Sequence, residues 1–228
     1  MKRFRTIVLL LALMLGMTAC HIRLVDTPPT TEPATAPTEP TTVPAPDTEL
    51  TVGETLGKLY HNPYFGLVFT LPDGWRYATD EQLCEENGVS MSDVELKPYL
   101  GDGSEFLTVM KASHETGRVA VSLAKCSKAI KGMGIENYMP IAKDSQRVIF
   151  EKADNGIELL HCDIVDVTLS GTPTKALLYE LNFTENGISN YYVEAYLLAG
   201  DYMLTIISSA VSAEAAMHYL TYFSYPTI

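Results

Sequence analysis

The sequence predicts an α+β fold, an antiparallel sheet of about six to seven strands with helices packed on it. Three observations predict it. Four strand-like runs between residues 157 and 209 are separated by breaks short enough to demand antiparallel neighbours. Helical patterns flank them instead of alternating with them. Finally, 46% of the 228 residues are hydrophobic and 19% are charged, enough apolar material for a true core.

Taken in order, "FGLVFTLPDGW" at 65–75 is a short apolar strand, with Leu67, Phe69 and Leu71 facing one way. Pro72-Asp73-Gly74 supplies a turn, and Trp75, the one tryptophan, is expected beneath it. Thr79 through Gln82 forms a capping box, so a two-turn helix should run to Asn87 and stop at Gly88. Ser92-Asp93-Val94-Glu95 has the same form, and Pro98 limits the helix after it to a short piece. Residues 106–112 and 118–125 make a hairpin around His114-Glu115-Thr116-Gly117.

Pro140 suits the first position of the next helix. Ile141, Ser145, Val148 and Ile149 recur along it at helical spacing, and Asn155-Gly156 ends it. Strands then come at about 157–168, 174–183, 188–198 and 202–209. Their breaks are Gly171-Thr172-Pro173, Glu185-Asn186-Gly187 and Gly200-Asp201. A last helix starts after Ser212 and carries Ala216, Leu220 and Phe223 on one side.

Residues 1–48 read differently. Lys2, Arg3 and Arg5 precede an apolar run from Ile7 to Met17, too short for a spanning helix but suited to a secretory signal peptide over residues 1–19. Met17-Thr18-Ala19-Cys20 resembles the bacterial lipobox, with Met17 in place of the more usual leucine. That resemblance implies a diacylglyceryl group on the Cys20 thiol, cleavage before Cys20, and a palmitate-type lipid anchor at the extracytoplasmic face of the cell membrane. Losing Lys2, Arg3 and Arg5 takes the 16 basic residues to 13 against 28 acidic ones, a mature charge of −15.

Residues 20–48 are then the lipidated cysteine and a tether. "TPPTTEPATAPTEPTTVPAPDT" at 27–48 is mostly proline and threonine and contains no aromatic residue. Such a segment favours extended polyproline II. At about 3.1 Å per residue its reach is roughly 70 Å. One globular domain is expected from 49 to 228.

The net charge of −12 excludes the usual route to nucleic acid and to anionic lipid through a basic face. No nucleophile elbow, phosphate loop, dinucleotide fingerprint or zinc-type cysteine pair occurs, so neither a cofactor nor a metal is expected, and no enzyme. Beyond Cys20 the cysteines are Cys84, Cys126 and Cys162. They read either as three small buried hydrophobes or as one disulfide plus a thiol, with Cys126 and Cys162 the pair if their strands are neighbours. In His161-Cys162-Asp163, strand alternation puts His161 and Asp163 on one face and Cys162 on the other, which separates thiol from base. Asp163, Asp166, Glu180 and Glu194 read as scattered sheet acids.

The later strands are rich in tyrosine: Tyr179, Tyr191, Tyr192, Tyr196 and Tyr202. Tyrosine suits both core and binding surfaces, so Tyr179, Tyr191, Tyr192 and Tyr196 are candidate ligand-binding residues. Tyr191 and Tyr192 are adjacent, so one should face away from the main helix layer.

"YHNPYFGLVFTLPDGW" at 60–75 resembles the opening of domains with the PsbP/Mog1-like fold, and the order of elements through residue 223 is similar too. The resemblance spans roughly 60–224 and implies an α/β/α sandwich. It brings no shared catalytic set, so no functional residue is carried over. Anchor, tether and domain together resemble lipoproteins of clostridial-type bacteria. The expectation is a membrane-anchored module that binds a peptide, a glycan or an envelope protein. A hydrolase and a structural scaffold of the envelope are the alternatives.

Overall fold

The computed structural model describes residues 48–92, 94–101, 106–152 and 156–225. Cys20, the leader and the tether up to Asp47 lie outside these residues, as do Asp93 and Asn155.

Eleven strands form two antiparallel sheets among the described residues. The small sheet has the order β1-β2-β3-β11, from Glu54–Leu56, Leu59–Asn62, Leu67–Thr70 and Phe223–Ser224. The strand expected at 65–71 is its third member, with Leu67 and Phe69 fully buried. The large sheet has seven strands, ordered β4-β5-β6-β10-β9-β8-β7. They are β4 (Arg76–Tyr77), β5 (Phe106–His114), β6 (Gly117–Lys125), β7 (Ile157–Leu169), β8 (Thr172–Phe183), β9 (Ile188–Ala199) and β10 (Tyr202–Ala210). The last four form the expected meander, with all three of its pairings antiparallel. Its final strand, β10, returns to pair with β6.

Turn chemistry explains the tight hairpins. Ser170 and Gly171, at φ 53° and 77°, join Leu169 to Thr172 in a two-residue turn. Pro173 therefore lies inside β8, although a break was expected there. It is tolerated because β9 pairs with β8 only from Ala176 onward, so no ladder donor is missed on that side.

Helix α1 (Asp80–Asn87) has the expected capping box: Gln82 N donates to the Thr79 hydroxyl and Thr79 N donates to Gln82 Oε1 at 2.9 Å. Gly88, at φ 71°, is its left-handed stop. Helix α2 (Leu96–Leu100) starts later than the Ser92 motif suggests, and Glu95 caps it without a side-chain bond.

Helix α3 runs from Lys128 to Lys152 with a break at Gly134 (φ 72°, ψ 170°) and with Pro140 inside it. The expectation that Pro140 begins the helix is corrected. The chain re-enters helix just after Gly134, whose backbone no β-carbon residue adopts cheaply. The inward stripe is also different. Tyr138, Ala142, Gln146 and Phe150 are buried at i, i+4, i+8 and i+12, while Val148 is 46% exposed.

The large sheet is covered on both faces. Helix α3 packs Tyr138, Met139, Ala142 and Phe150 against Leu177, Tyr179, Tyr192, Tyr196 and Met203. The opposite face carries Val121, Val193, Leu204 and Ile206, packed with the small sheet and with helix α4 (Ala213–Tyr219). Ser212 caps α4, accepting from Ala215 N at 3.2 Å. Leu220 and Phe223 are buried with Ala216, but beyond the helix: Leu220 starts a 3-10 turn and Phe223 starts β11. Trp75 follows the Pro72–Gly74 turn and sits edge-on to Tyr219 at 4.8 Å and stacked on His114.

Candidate functional site

The two edges of the large sheet are finished differently. At one edge β4 covers only Ala112 and Ser113 of β5. Further along, Ala78 N donates to Lys111 O at 2.9 Å, and Asn87 closes the edge at the β5 bulge. The Asn87 side chain donates to Thr108 O at 2.8 Å and accepts from Thr108 N at 2.9 Å, replacing a strand neighbour. At the other edge lies β7, thirteen residues long and paired on one side only. Among the described residues, no element adds a backbone bond to the outer side of residues 158–169.

The pairing of β7 with β8 slips between Leu159 and His161. Such a bulge adds one residue and reverses side-chain alternation beyond it. Ile157 and Leu159 before the slip, and Cys162 and Ile164 after it, all pack on the α3 side. The surplus residue, Leu160, is turned out and is 41% exposed. His161 and Asp163 are exposed while Cys162 is 4% exposed, the separation that strand alternation predicts.

Between this edge and the C-terminal half of α3 lies a cleft of about 450 Å³. Helix α3 contributes Arg147, Phe150 and Glu151; β7 contributes residues 158–163. Lys143 of α3 bonds Asp163 at 2.9 Å across the edge, and Lys175 pairs with Asp166. Lys143 holds the Asp163 carboxyl below its usual range. Arg147, Glu151 and Glu158 are in no ion pair among the described residues. The cleft can therefore offer two uncompensated carboxylates, one guanidinium, an exposed leucine and a free strand edge.

Cys162 forms the buried floor of this cleft. Burial pushes its thiol up to about 11, against the smaller opposing pull of Lys143 and Arg147. At neutral pH about one thiol in ten thousand would be thiolate, so Cys162 is not an activated nucleophile. Its expected bridge to Cys126 is corrected. Cys126 comes just after β6 and Cys162 is in β7, with β10, β9 and β8 between them. Four steps of about 4.8 Å put the backbones roughly 19 Å apart, and a disulfide needs them within about 7 Å. None of Cys84, Cys126 and Cys162 is in a disulfide.

The tyrosine surface is corrected as well. Tyr179 (0% exposed), Tyr196 (2%) and Tyr192 (8%) lie under α3. Tyr179 stacks on Tyr192 at 5.3 Å, and Tyr196 meets Tyr138 edge-on at the same separation. These three cannot face a ligand while α3 is docked. The reason is the face they occupy: they point to the side of the sheet on which α3 packs, across β7, β8 and β9. Tyr191 points the other way, half-buried against the second core, as its adjacency to Tyr192 requires.

Within the same layer, Glu194 is 2% exposed and accepts a 2.8 Å bond from Gln146 Nε2. Burial raises its carboxyl to about 7, opposed in part by the Tyr196 hydroxyl and by Gln146. Of the two forms expected for the sheet acids, hydrated or hydrogen-bonded, Glu194 takes the hydrogen-bonded one. Its neighbours Val193 and Ala195, both apolar in a long run, are the signal that β9 is buried on both faces.

No protein-family model matches the chain, and no curated protein matches it. Among solved structures, it is similar to the solution structure of cyanobacterial PsbP (CyanoP) from Synechocystis sp. PCC 6803, at a TM-score of 0.39 and 11% identity. The alignment covers 75% of this chain and 95% of that one. At this identity the likeness carries no functional argument.

Proposed function

We propose that the protein is a lipid-anchored extracytoplasmic binding module that engages its partner through the β7–α3 cleft. The observation that carries the binding surface is the contrast between the two sheet edges. One is covered at Ala112 and Ser113 by β4, at Lys111 by Ala78 and at Thr108 by an asparagine side chain filling a bulge. The other leaves the outer side of residues 158–169 without a backbone partner among the described residues, beside a charged cleft. The anchor rests on the lipobox-like Met17–Cys20 and the Pro/Thr-rich segment after it. A tether of that reach would hold the cleft clear of the bilayer.

The test is a thermal-shift panel of sugars, cell-wall fragments and short peptides against the purified chain. A ligand at 100 times its dissociation constant adds about 2.7 kcal/mol. For a domain this size that is a midpoint rise of roughly 5–11 °C. A rise that disappears in Glu158→Lys supports the reading. No rise across the panel, or one indifferent to Glu158→Lys, contradicts it. For the anchor, Cys20→Ser should move the protein from the membrane to the soluble fraction; continued membrane association would contradict lipidation.

A further inference from the structure

We infer that the β7 edge accepts an extended peptide as an eighth strand of the large sheet, and that this peptide carries lysines or arginines, one facing Glu151 of α3 and another facing Glu158 of β7. The inference rests on the reading of the domain as a binding module and names the class of its ligand.

Backbone geometry comes first. An edge strand presents unpaired N–H and C=O groups, a template for another chain. Folded domains usually blunt long edges, and this domain does so at β5, through β4, Ala78 and Asn87. Along β7 the guards are the Leu160 bulge and charged side chains, and among the described residues no backbone bond from another element occupies the outer side of 158–169. The cleft runs between an edge strand and a helix, the setting in which an added strand receives main-chain bonds from one wall and side-chain contacts from the other. The bulge turns Leu160 outward at that place, which gives an added strand an apolar contact.

Charge then selects the occupant. Asp163 and Asp166 already have lysine partners, so they ask nothing of a ligand. Glu151 and Glu158 have none among the described residues, against a single unpaired Arg147. A chain with net charge −12 also attracts cationic segments at long range. A second copy fits poorly. Its Asp163 and Asp166 are neutralised by its own Lys143 and Lys175, and its β7, which holds no lysine or arginine, would bring another uncompensated Glu158, and like charges on facing strands repel.

A phage library of random twelve-residue peptides, panned on the full chain purified in detergent, tests this. Selected peptides should be enriched in lysine or arginine. When bound, they should slow amide hydrogen exchange along residues 158–169. The Glu151→Lys/Glu158→Lys double variant should bind them at least about tenfold more weakly. N-methylation of alternate peptide backbone nitrogens should abolish binding to the unaltered protein, a readout independent of how the variant folds.

Peptides that bind without protecting β7, or that tolerate N-methylation on both alternations, overturn the inference and leave the binding-module reading standing. A library that yields nothing overturns it too, and a silent ligand panel alongside would take the broader reading with it. Concentration-dependent dimerisation that protects β7 without peptide would overturn it by assigning the edge to a second copy.

Discussion

Gln146 donates a 2.8 Å hydrogen bond to the carboxylate of Glu194 in the layer between α3 and the large sheet. One residue comes from the middle of the helix stripe, the other from an interior strand, and both are at most 2% exposed. The pair is a polar junction inside an apolar interface that includes Tyr179, Tyr196 and Cys162. It ties the helical wall of the cleft to the sheet beneath.

That junction makes stability depend on pH. The folded Glu194 carboxyl is raised to about 7 from an ordinary 4.5. An acid with a raised folded value binds more protons folded than unfolded between those limits. Its cost is therefore absent below pH 4.5, grows as pH rises and is complete above pH 7. The shift corresponds to roughly 3 kcal/mol. Glu194→Gln keeps an acceptor for Gln146 and removes the charge. Thermal denaturation should show it stabilised by about 1–3 kcal/mol at about pH 8 and nearly unchanged at about pH 4.5. Equal effects at both pH values would contradict this account.

The Tyr179 hydroxyl is buried with no hydrogen-bond partner among the described residues. Desolvating such a group costs about 1–3 kcal/mol. Tyr179→Phe keeps the ring stacked on Tyr192 and removes the orphan. It should raise the melting midpoint by about 2–12 °C and leave ligand binding intact. Loss of binding with an unchanged midpoint would return Tyr179 to the binding surface.

Asn87 carries two bonds that close the β5 edge. Asn87→Ala leaves both groups of Thr108 without them, at a cost of about 1–3 kcal/mol. Native-state hydrogen exchange should report fast exchange at Thr108 while Val121 and Ile206, in neighbouring strands of the core, stay protected. An unchanged Thr108 rate would mean that Asn87 does not seal that edge.

Local chemistry was legible in the sequence where a few adjacent residues decide the outcome: the Thr79–Gln82 box, the Gly88 stop and the Gly200-Asp201 turn. The α3 stripe was not, because Gln146 interrupts its apolar pattern and Gly134 hides the start. Nor did short breaks reveal that β10 returns to β6, which keeps Cys126 and Cys162 apart and puts the tyrosines of β8 and β9 beneath a helix. The cleft depends on the Leu160 bulge, a single surplus residue that no turn signal marks.

The central claim is that this domain binds through the β7 edge. A photo-crosslinking amino acid at Leu160, with Ile188 as a comparably exposed control on β9, tests it in intact cells. The account predicts a discrete adduct from position 160, lost in the Glu151→Lys/Glu158→Lys background, and none from position 188. No adduct from 160, or the same adduct from both positions, would contradict it.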